Sequence, residues 1–486
     1  MELPRTLGDL RDSGHAALRV KDEIRRNLID KLSSGESLFP GVMGYDETVI
    51  PGLERALLAG HDVILLGERG QAKSRLIRSL KLLLDERSPI VAGCEINDHP
   101  YRPVCARCRV LVAERGDDTT VQWIGRDRRY AEKLATPDTS VADLIGDVDP
   151  IRVAEGRYLS DELTIHYGLV PRTKRGIFAV NELPDLPERI QVALLNVLEE
   201  RDVQIRGYKI QLPLDLLLVA SANPEDYTHR GRIITPLKDR FGTQVRTHYP
   251  ATAEEEIAIM NQEAADAPEG VPVEVPDFIK EVIAELTQSL RSSGQVNQRS
   301  GVSVRFSIGA LETAAAGAVR RAVHTGEGSA VVRPVDLWAV VPAALGRVEF
   351  DLLEEGREDE ILDIALRASL AEVFRRRLGG ADLRPLSALF DQGAVVETSD
   401  VTPATELLGQ LNGGSAPCAA EIAQALQVDG SNPQALASAF EFVLEGLHLA
   451  RRINKEVSSA GHRFSGSARG SRERRGYGEG PRRDVG

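Results

Sequence analysis
The sequence predicts an α/β domain built on a parallel sheet and followed by helical regions. Three observations carry that expectation. Short, continuously apolar runs stand at 63–66, 177–180 and 216–220, separated by helical stretches; runs of this kind are how strands buried on both faces of a parallel sheet read. Each run gives way at once to glycine or polar residues, at the strand ends where ligands of open α/β sheets gather. From Ala251 onward the strand signal fades and helical spacing replaces it, as in Phe278, Val282, Leu286 and Leu290.

The elements follow in order. Helices are expected at 15–34 and 45–60, with Ile24, Leu28 and Leu32 on one face. After the sheet, 276–292 reads as an amphipathic helix; a second helix starts near Ser307 as N-cap and a third near Pro334 as first residue. Residues 351–376 and 417–455 read as mostly helical, with a loop rich in Gly, Pro and Thr at 378–416. The chain therefore divides into an N-terminal helical segment (1–34), an α/β domain (35–250), a helical lid (251–350), a C-terminal helical region (351–457) and a tail (458–486). The tail has almost no apolar content, and from Gly461 it holds seven arginines against three acids, so it is expected to be disordered.

Composition bounds the function classes. A chain of 486 residues with 42% apolar content suits a soluble protein of two or three domains. Its net charge of −13 disfavours nucleic acid as a partner. No apolar run reaches the roughly eighteen residues of a membrane span. Met1-Glu2-Leu3-Pro4-Arg5 lacks a signal-peptide pattern, which places the protein in the cytoplasm. Four cysteines in so long a chain are no disulfide scaffold.

The first apolar run leads into Gly67-Glu68-Arg69-Gly70-Gln71-Ala72-Lys73-Ser74. A glycine loop between strand and helix wraps phosphate oxygens with backbone N–H groups. Lys73 would neutralise the β and γ phosphates of ATP, and Ser74 would offer its hydroxyl to Mg²⁺. The spacing is that of a P-loop except at Ala72, where glycine is usual; an ordinary strand-to-helix turn with an exposed lysine is the alternative. The second run ends in Asn181-Glu182. There the first residue supports Mg²⁺ and the glutamate orients the attacking water. Asn181 stands where an aspartate is expected and contributes no charge, which weakens metal support. A carboxylate placed at a helix N-terminus is the alternative for Glu182. The third run reaches Ser221-Ala222-Asn223-Pro224, where Asn223 is positioned to bond the γ-phosphate or the lytic water, an Asn-Pro turn being the alternative.

With these residues the chain resembles the AAA+ family, in the clade of MoxR proteins and the magnesium chelatase I subunit, over about residues 35–350. The loop with alanine before lysine is similar to the MoxR pattern. Leu144-Ile145-Gly146-Asp147-Val148-Asp149, Gly156-Arg157-Tyr158 and Gly168-Leu169-Val170 resemble the clade's helix-two insertion, Asp239-Arg240-Phe241 its "DRF" signature, and Val304-Arg305-Phe306 its sensor 2. The resemblance implies that Asn223 is sensor 1, that Arg240 is an arginine finger acting on a neighbour's ATP, and that Arg305 reaches ATP from the lid. Arg232 is the competing finger candidate. It also implies that the alternating stretch 203–210, with Arg206 and Tyr208, faces a ring pore, and that Val49 and Ile50 pack the adenine. A surface hairpin and core packing are the respective alternatives. A hexameric ring and a partner bearing a von Willebrand-type A domain complete the family expectation.

Cys94, His99, Cys105 and Cys108 cluster within fifteen residues. Cys-x₂-Cys supplies two thiolates from one turn and the upstream pair completes a tetrahedral structural Zn²⁺ site; three reduced thiols beside a surface histidine are the alternative. Cys418 stands alone and is expected to be buried. The sequence contains no His-Glu-x-x-His, no serine nucleophile elbow and no second nucleotide fingerprint. A ring ATPase motor is therefore the leading expectation, with a slowly hydrolysing nucleotide-dependent scaffold and an AAA+ transcriptional activator as alternatives.

Overall fold
The computed structural model describes residues 3–148, 164–202, 212–223, 232–265, 270–297, 300–411, 418–458 and 461–466. The chain divides into two compact units, Met1–Tyr249 and Pro250–Gly486.

In the first unit the three apolar runs become β1 (Val63–Leu66), β7 (Gly176–Asn181) and β8 (Leu216–Ala222). Two further strands, β4 (Tyr130–Leu134) and β9 (Thr243–Arg246), complete a five-stranded sheet in the order β4-β7-β8-β1-β9. Every neighbouring pair is parallel. Along the central strands alternate side chains enter two separate cores, as the period of two in a strand dictates. Phe178, Val180, Leu218 and Ile64 join one cluster, while Ile177, Ala179, Leu217, Val219, Val63 and Leu65 join the other.

Antiparallel pairs flank this sheet. Strands β2 (Arg87–Val91) and β3 (Val121–Gly125) form one, and β5 (Gly146–Val148) and β6 (Ile165–Tyr167) form the base of the expected insertion. Gly156, Arg157 and Tyr158, the stretch 203–210 with Arg206 and Tyr208, and Pro224 lie outside the described residues. The first long helix runs over Val20–Ser34, and the next over Val49–Leu58. A bidentate pair, Arg129 Nη1 and Nη2 with Glu23 Oε1 and Oε2 at 2.7 and 2.6 Å, buries a charge pair between the Val20–Ser34 helix and the residue preceding β4.

The second unit is mainly helical, with Asp277–Ser292, Val304–Thr325, Glu358–Leu378 and Pro433–Leu449 as its longest helices. The helix expected from Ser307 begins at Val304, because Ser303 caps it by accepting from Arg305 N; Ser307 instead bonds Glu256 inside the unit. Pro334 opens a short helix as expected. Strands β10 (Val273–Glu274) and β11 (Ala330–Val331) pair in parallel.

Two expectations fail here. The supposed loop 378–416 contains helices Arg384–Asp391 and Ala404–Gln410 and the strand β12 (Val395–Thr398). The supposed start of a disordered tail is a hairpin, β13 (Ile453–Ser458) and β14 (Gly461–Gly466), which joins β12 in the order β12-β14-β13. Phe464 fixes this sheet by burying itself completely opposite Val396. One apolar residue in an Arg- and Ser-rich stretch is too little periodicity to announce a strand. Among the described residues no helix is long and apolar enough to cross a membrane.

Candidate functional site
The loop Gly67–Ala72 lies between β1 and the helix Lys73–Ser79, and neighbouring elements hold it from several directions. Gly67 N donates to Ala222 O at 3.2 Å, tying the loop to β8. The buried Gln71 amide oxygen accepts from Glu68 N at 3.0 Å and from Thr247 Oγ1 at 2.7 Å. Tyr45 Oη donates to Gln71 O, and Tyr249 Oη to Arg69 O, each at 3.0 Å. Gly67 is required by close approach: a Cβ there would stand 1.9 Å from Thr247 Oγ1 and 2.2 Å from Gln71 Oε1. Gly70 and Ala72 both occupy the left-handed region, at φ 76° and 53°. For alanine that conformation costs on the order of 1 kcal/mol, and it is retained at the entry to the Lys73 helix.

Lys73 is buried, and its Nζ reaches Glu68 O and Asn223 Oδ1, each at 2.7 Å, as well as Gly67 O. Ser74 is half-buried in the first turn of the same helix. At the end of β7, Glu182 turns in the left-handed region (φ 56°), donates its backbone N–H to Ser221 Oγ at 3.2 Å, and accepts from Asn223 Nδ2 at 2.6 Å. The structure therefore brings Lys73, Asn181, Glu182 and Asn223 to one place, at the C-terminal ends of adjacent parallel strands.

Asn181 has a neighbour that the sequence did not announce. Its Nδ2 donates to Glu132 Oε1 at 2.5 Å, and its Oδ1 accepts from Ser221 Oγ at 3.3 Å. Glu132, on β4, is gripped by Arg78 through Nε–Oε2 and Nη2–Oε1 contacts of 2.8 and 2.9 Å, and by Tyr130 Oη at 3.0 Å. The Arg78 hydrogen bonds hold the Glu132 carboxyl below the usual glutamate range. Arg78 lies on the helix that begins with Lys73, so hydrogen bonds run in a closed circuit from that helix through Asn223, Glu182, Ser221, Asn181 and Glu132 back to it.

These residues fit a nucleoside triphosphate with Mg²⁺. The side-chain-free cradle at Gly67, the buried Lys73 ammonium and the half-buried Ser74 hydroxyl supply what phosphate and metal require. A cavity of about 430 Å³ beside the loop is lined by Gly67, Glu68, Gln71, Lys238, Arg246 and Thr247 among others, and so carries two further cations. Arg240, at the end of the helix Thr235–Arg240, is exposed and pairs with Glu199 Oε1 at 2.7 Å and with Asp239. Arg232 is also exposed, and its carbonyl accepts from Gln191 Nε2. Arg305 is an exposed residue of the second unit, in the first turn of its helix. Val49 is buried in a core cluster, which favours core packing over an adenine contact, while Ile50 is half-buried.

The cysteine cluster forms with one change of membership. Cys94, Asp98, Cys105 and Cys108 are all buried, with ligand atoms all within 4.8 Å of one another, a grouping compatible with a metal site. His99 is not among them. Its ring stacks on His15 at 5.7 Å and packs edge-on to Tyr101 at 4.8 Å, and its Nδ1 accepts from Tyr101 N at 3.0 Å. Burial pushes its pKa down to about 3. Adjacent residues diverge here, and it is Asp98 whose side chain turns toward the thiols. Hydrogen bonds from Cys105 and Cys108 hold Cys94 below the ordinary thiol range, while hydrogen bonds to Cys108 and Cys94 raise Cys105. Cys418, expected to be buried, is half-exposed and donates to Asp382 O at 3.2 Å.

A five-stranded parallel sheet in this order, with a glycine loop after β1 and polar residues closing β7 and β8, is the arrangement of an AAA+ core. The Sigma-54 interaction domain pattern matches residues 155–240. The chloroplastic magnesium-chelatase subunit ChlI-2 of Arabidopsis thaliana is 27% identical over 258 residues, 51% of this chain and 58% of its own length. The magnesium-chelatase 38 kDa subunit of Cereibacter sphaeroides is 28% identical over 210 residues, 42% of this chain and 56% of its own. A solved complex of the magnesium chelatase subunits BchI and BchD aligns at 22% identity with a TM-score of 0.34, covering 67% of this chain and 98% of that one. Over about half of its length the chain is thus similar, at a distance, to magnesium-chelatase I subunits, and its first unit has the fold of an AAA+ core. It spans a little over half the length of these curated relatives.

Proposed function
We propose that the chain binds ATP with Mg²⁺ at Gly67–Ser74, hydrolyses it, and works as a ring motor on a protein partner. One observation carries the reading: Asn223 bonds both Lys73 Nζ and Glu182 Oε2, so the phosphate-binding cation and the candidate base for water share one positioning side chain. Lys73 stabilises charge on the β and γ phosphates, Glu182 orients and polarises water, and Asn223 fixes the separation between them. Ser74 and Asn181 are the residues that would hold or support Mg²⁺, which supplies further charge neutralisation when bound.

Arg240 is exposed and held in a surface pair with Glu199, and on this reading acts in a neighbouring subunit of a hexamer. Arg305 is the corresponding contact from the lid. A von Willebrand-type A domain protein is the expected partner; among the relatives, BchI is solved in a complex with BchD. Remodelling of that partner, in the manner of MoxR proteins, or metal insertion through additional subunits is the work performed. Light scattering of Glu182→Gln with ATP tests the assembly. A hexamer-sized particle that forms only with nucleotide is expected, and a monomer under every condition contradicts the ring.

A slowly hydrolysing scaffold is the second reading, favoured by the neutral Asn181 in place of an acid. It predicts assembly with ATP but turnover no faster than that of Glu182→Gln. The Sigma-54 domain match favours an AAA+ transcriptional regulator; specific DNA binding at low salt would support it, against the acidic balance of the chain.

A further inference from the structure
We propose that Cys94, Asp98, Cys105 and Cys108 hold one structural Zn²⁺ that braces the segment leading into β7. The four side chains present three sulfurs and a carboxylate oxygen within 4.8 Å of one another and out of solvent. Three soft donors and one hard one, four in number, suit tetrahedral zinc. Two sulfurs already receive backbone N–H groups, Cys94 from Asp98 N at 3.3 Å and Cys105 from Cys108 N at 3.4 Å.

Asp98 is oriented as a metal-ligating carboxylate needs to be. Its Oδ2 accepts from Val104 N and Cys105 N, each at 2.8 Å, and its Oδ1 pairs with Lys174 Nζ at 2.6 Å. A carboxylate offers about four lone-pair sites, so one remains for the metal. Three thiolates and a carboxylate around a divalent cation leave net negative charge, of which the buried Lys174 offsets half. Binding releases the remaining thiol protons to solvent. The mechanical consequence lies in the next residues. Lys174 and Arg175 directly precede β7, Arg175 Nη1 donates to Pro89 O at 2.7 Å, and Asn97 Nδ2 donates to Arg172 O at 2.8 Å. The metal therefore pins the 94–108 segment against the start of the strand that carries Asn181 and Glu182.

The test is metal analysis of the purified full-length chain, followed by titration with an organomercurial while released metal is read with a chromogenic chelator. About one Zn²⁺ per chain, released as the thiols are consumed, is expected. His99→Gln should retain the metal, while Cys105→Ser and Asp98→Ala should lose it. Wild-type chain without zinc, or with Cys105 and Cys108 joined in a disulfide, overturns the proposal. Loss of metal in His99→Gln with retention in Asp98→Ala overturns the ligand set. The titration uses the unaltered protein, so misfolding of a variant does not decide the outcome.

An independent observation carries a second inference, which rests on the ATP reading above. We infer that Glu132 is the positioning residue that restores, one strand over, the charge missing at Asn181. β4 pairs with β7 so that Leu134 stands beside Asn181 and Glu132 beside Ala179. From there the Glu132 carboxylate reaches Asn181 Nδ2 and fixes which end of the amide faces Ser221. An ionised partner strengthens that hydrogen bond and polarises the amide oxygen toward a cation. The arrangement also explains why an aspartate at 181 would be unfavourable here, since it would set two carboxylates in direct contact.

The experiment compares ATP affinity with Mg²⁺ and with EDTA, by fluorescence titration, in wild type, Glu132→Gln, Asn181→Asp and the double variant. Glu132→Gln should lose about tenfold of the tightening that Mg²⁺ confers, as expected for one charged hydrogen bond, with EDTA affinity unchanged. The double variant, which swaps the charge between strands, should regain it, while Asn181→Asp alone should gain nothing. Undiminished Mg²⁺ tightening in Glu132→Gln, or a double variant no better than that single one, overturns the inference. Wild-type chain that binds no ATP under either condition overturns the nucleotide reading instead.

Discussion
Asn223 Nδ2 donates to Glu182 Oε2 at 2.6 Å while the same amide's oxygen accepts from Lys73 Nζ at 2.7 Å. One side chain at the end of β8 thus spaces the candidate base from the candidate phosphate cation. Asn223→Ala removes both bonds without touching the loop backbone. Turnover of bound ATP should fall by about 10²-fold, the scale of losing one preorganised donor, while the dissociation constant for ATP changes only a few-fold. Single-turnover kinetics beside a binding titration separates the two effects, and equal losses in both would assign Asn223 to binding alone.

Gly67 makes a prediction that depends on contact rather than on backbone angle. A methyl group there meets Thr247 Oγ1 and Gln71 Oε1 well inside contact distance. Gly67→Ala should abolish ATP binding and lower stability by about 1–3 kcal/mol, the usual cost of overpacking. Denaturant unfolding together with nucleotide titration checks it; retained binding would show that the loop has room the structure denies it.

Much of the fold is legible in the sequence, and what is hidden there is hidden for physical reasons. β1, β7 and β8 are buried on both faces and therefore read as unbroken apolar runs. β4 and β9 are the sheet's edges, where Glu132, Lys133 and Arg246 break the pattern. With β4 hidden, Glu132 is hidden too, because its contact with Asn181 arises from strand pairing and leaves no trace in local spacing. Glu182 and Asn223 directly follow strands that read as apolar runs, and Lys73 follows β1 across the glycine loop. Spacing suggests His99 rather than Asp98 as the fourth ligand, since it cannot say which of two adjacent side chains turns inward. The helices 384–391 and 404–410 run for only about two turns each, too short a window to separate a helical period from chance.

Arg240 tests the neighbour-subunit reading. Its pair with Glu199 is exposed on both sides, so Arg240→Ala should leave the urea midpoint of unfolding essentially unchanged. Activity should nevertheless collapse with ATP binding intact. Mixing Arg240→Ala with Lys73→Ala subunits should recover part of the activity, because a loop from the first can then meet an arginine from the second. No recovery, combined with a loss in Arg232→Ala instead, would transfer the role to Arg232.

The buried Glu23–Arg129 pair predicts the largest single effect on stability. Glu23→Ala leaves the Arg129 guanidinium buried with its carboxylate partner removed. A loss of about 3–5 kcal/mol is expected, read as a shift in the urea midpoint at unchanged slope. An apolar double replacement, Glu23→Leu with Arg129→Met, should cost much less, since it removes the charge along with its partner.

The most direct test of the account is steady-state ATP hydrolysis by the full chain, measured beside Glu182→Gln and Lys73→Ala in samples whose ATP binding is also titrated. The account predicts turnover by wild type, binding without turnover by Glu182→Gln, and neither by Lys73→Ala. Wild type that binds ATP yet turns it over no faster than the two variants would contradict it.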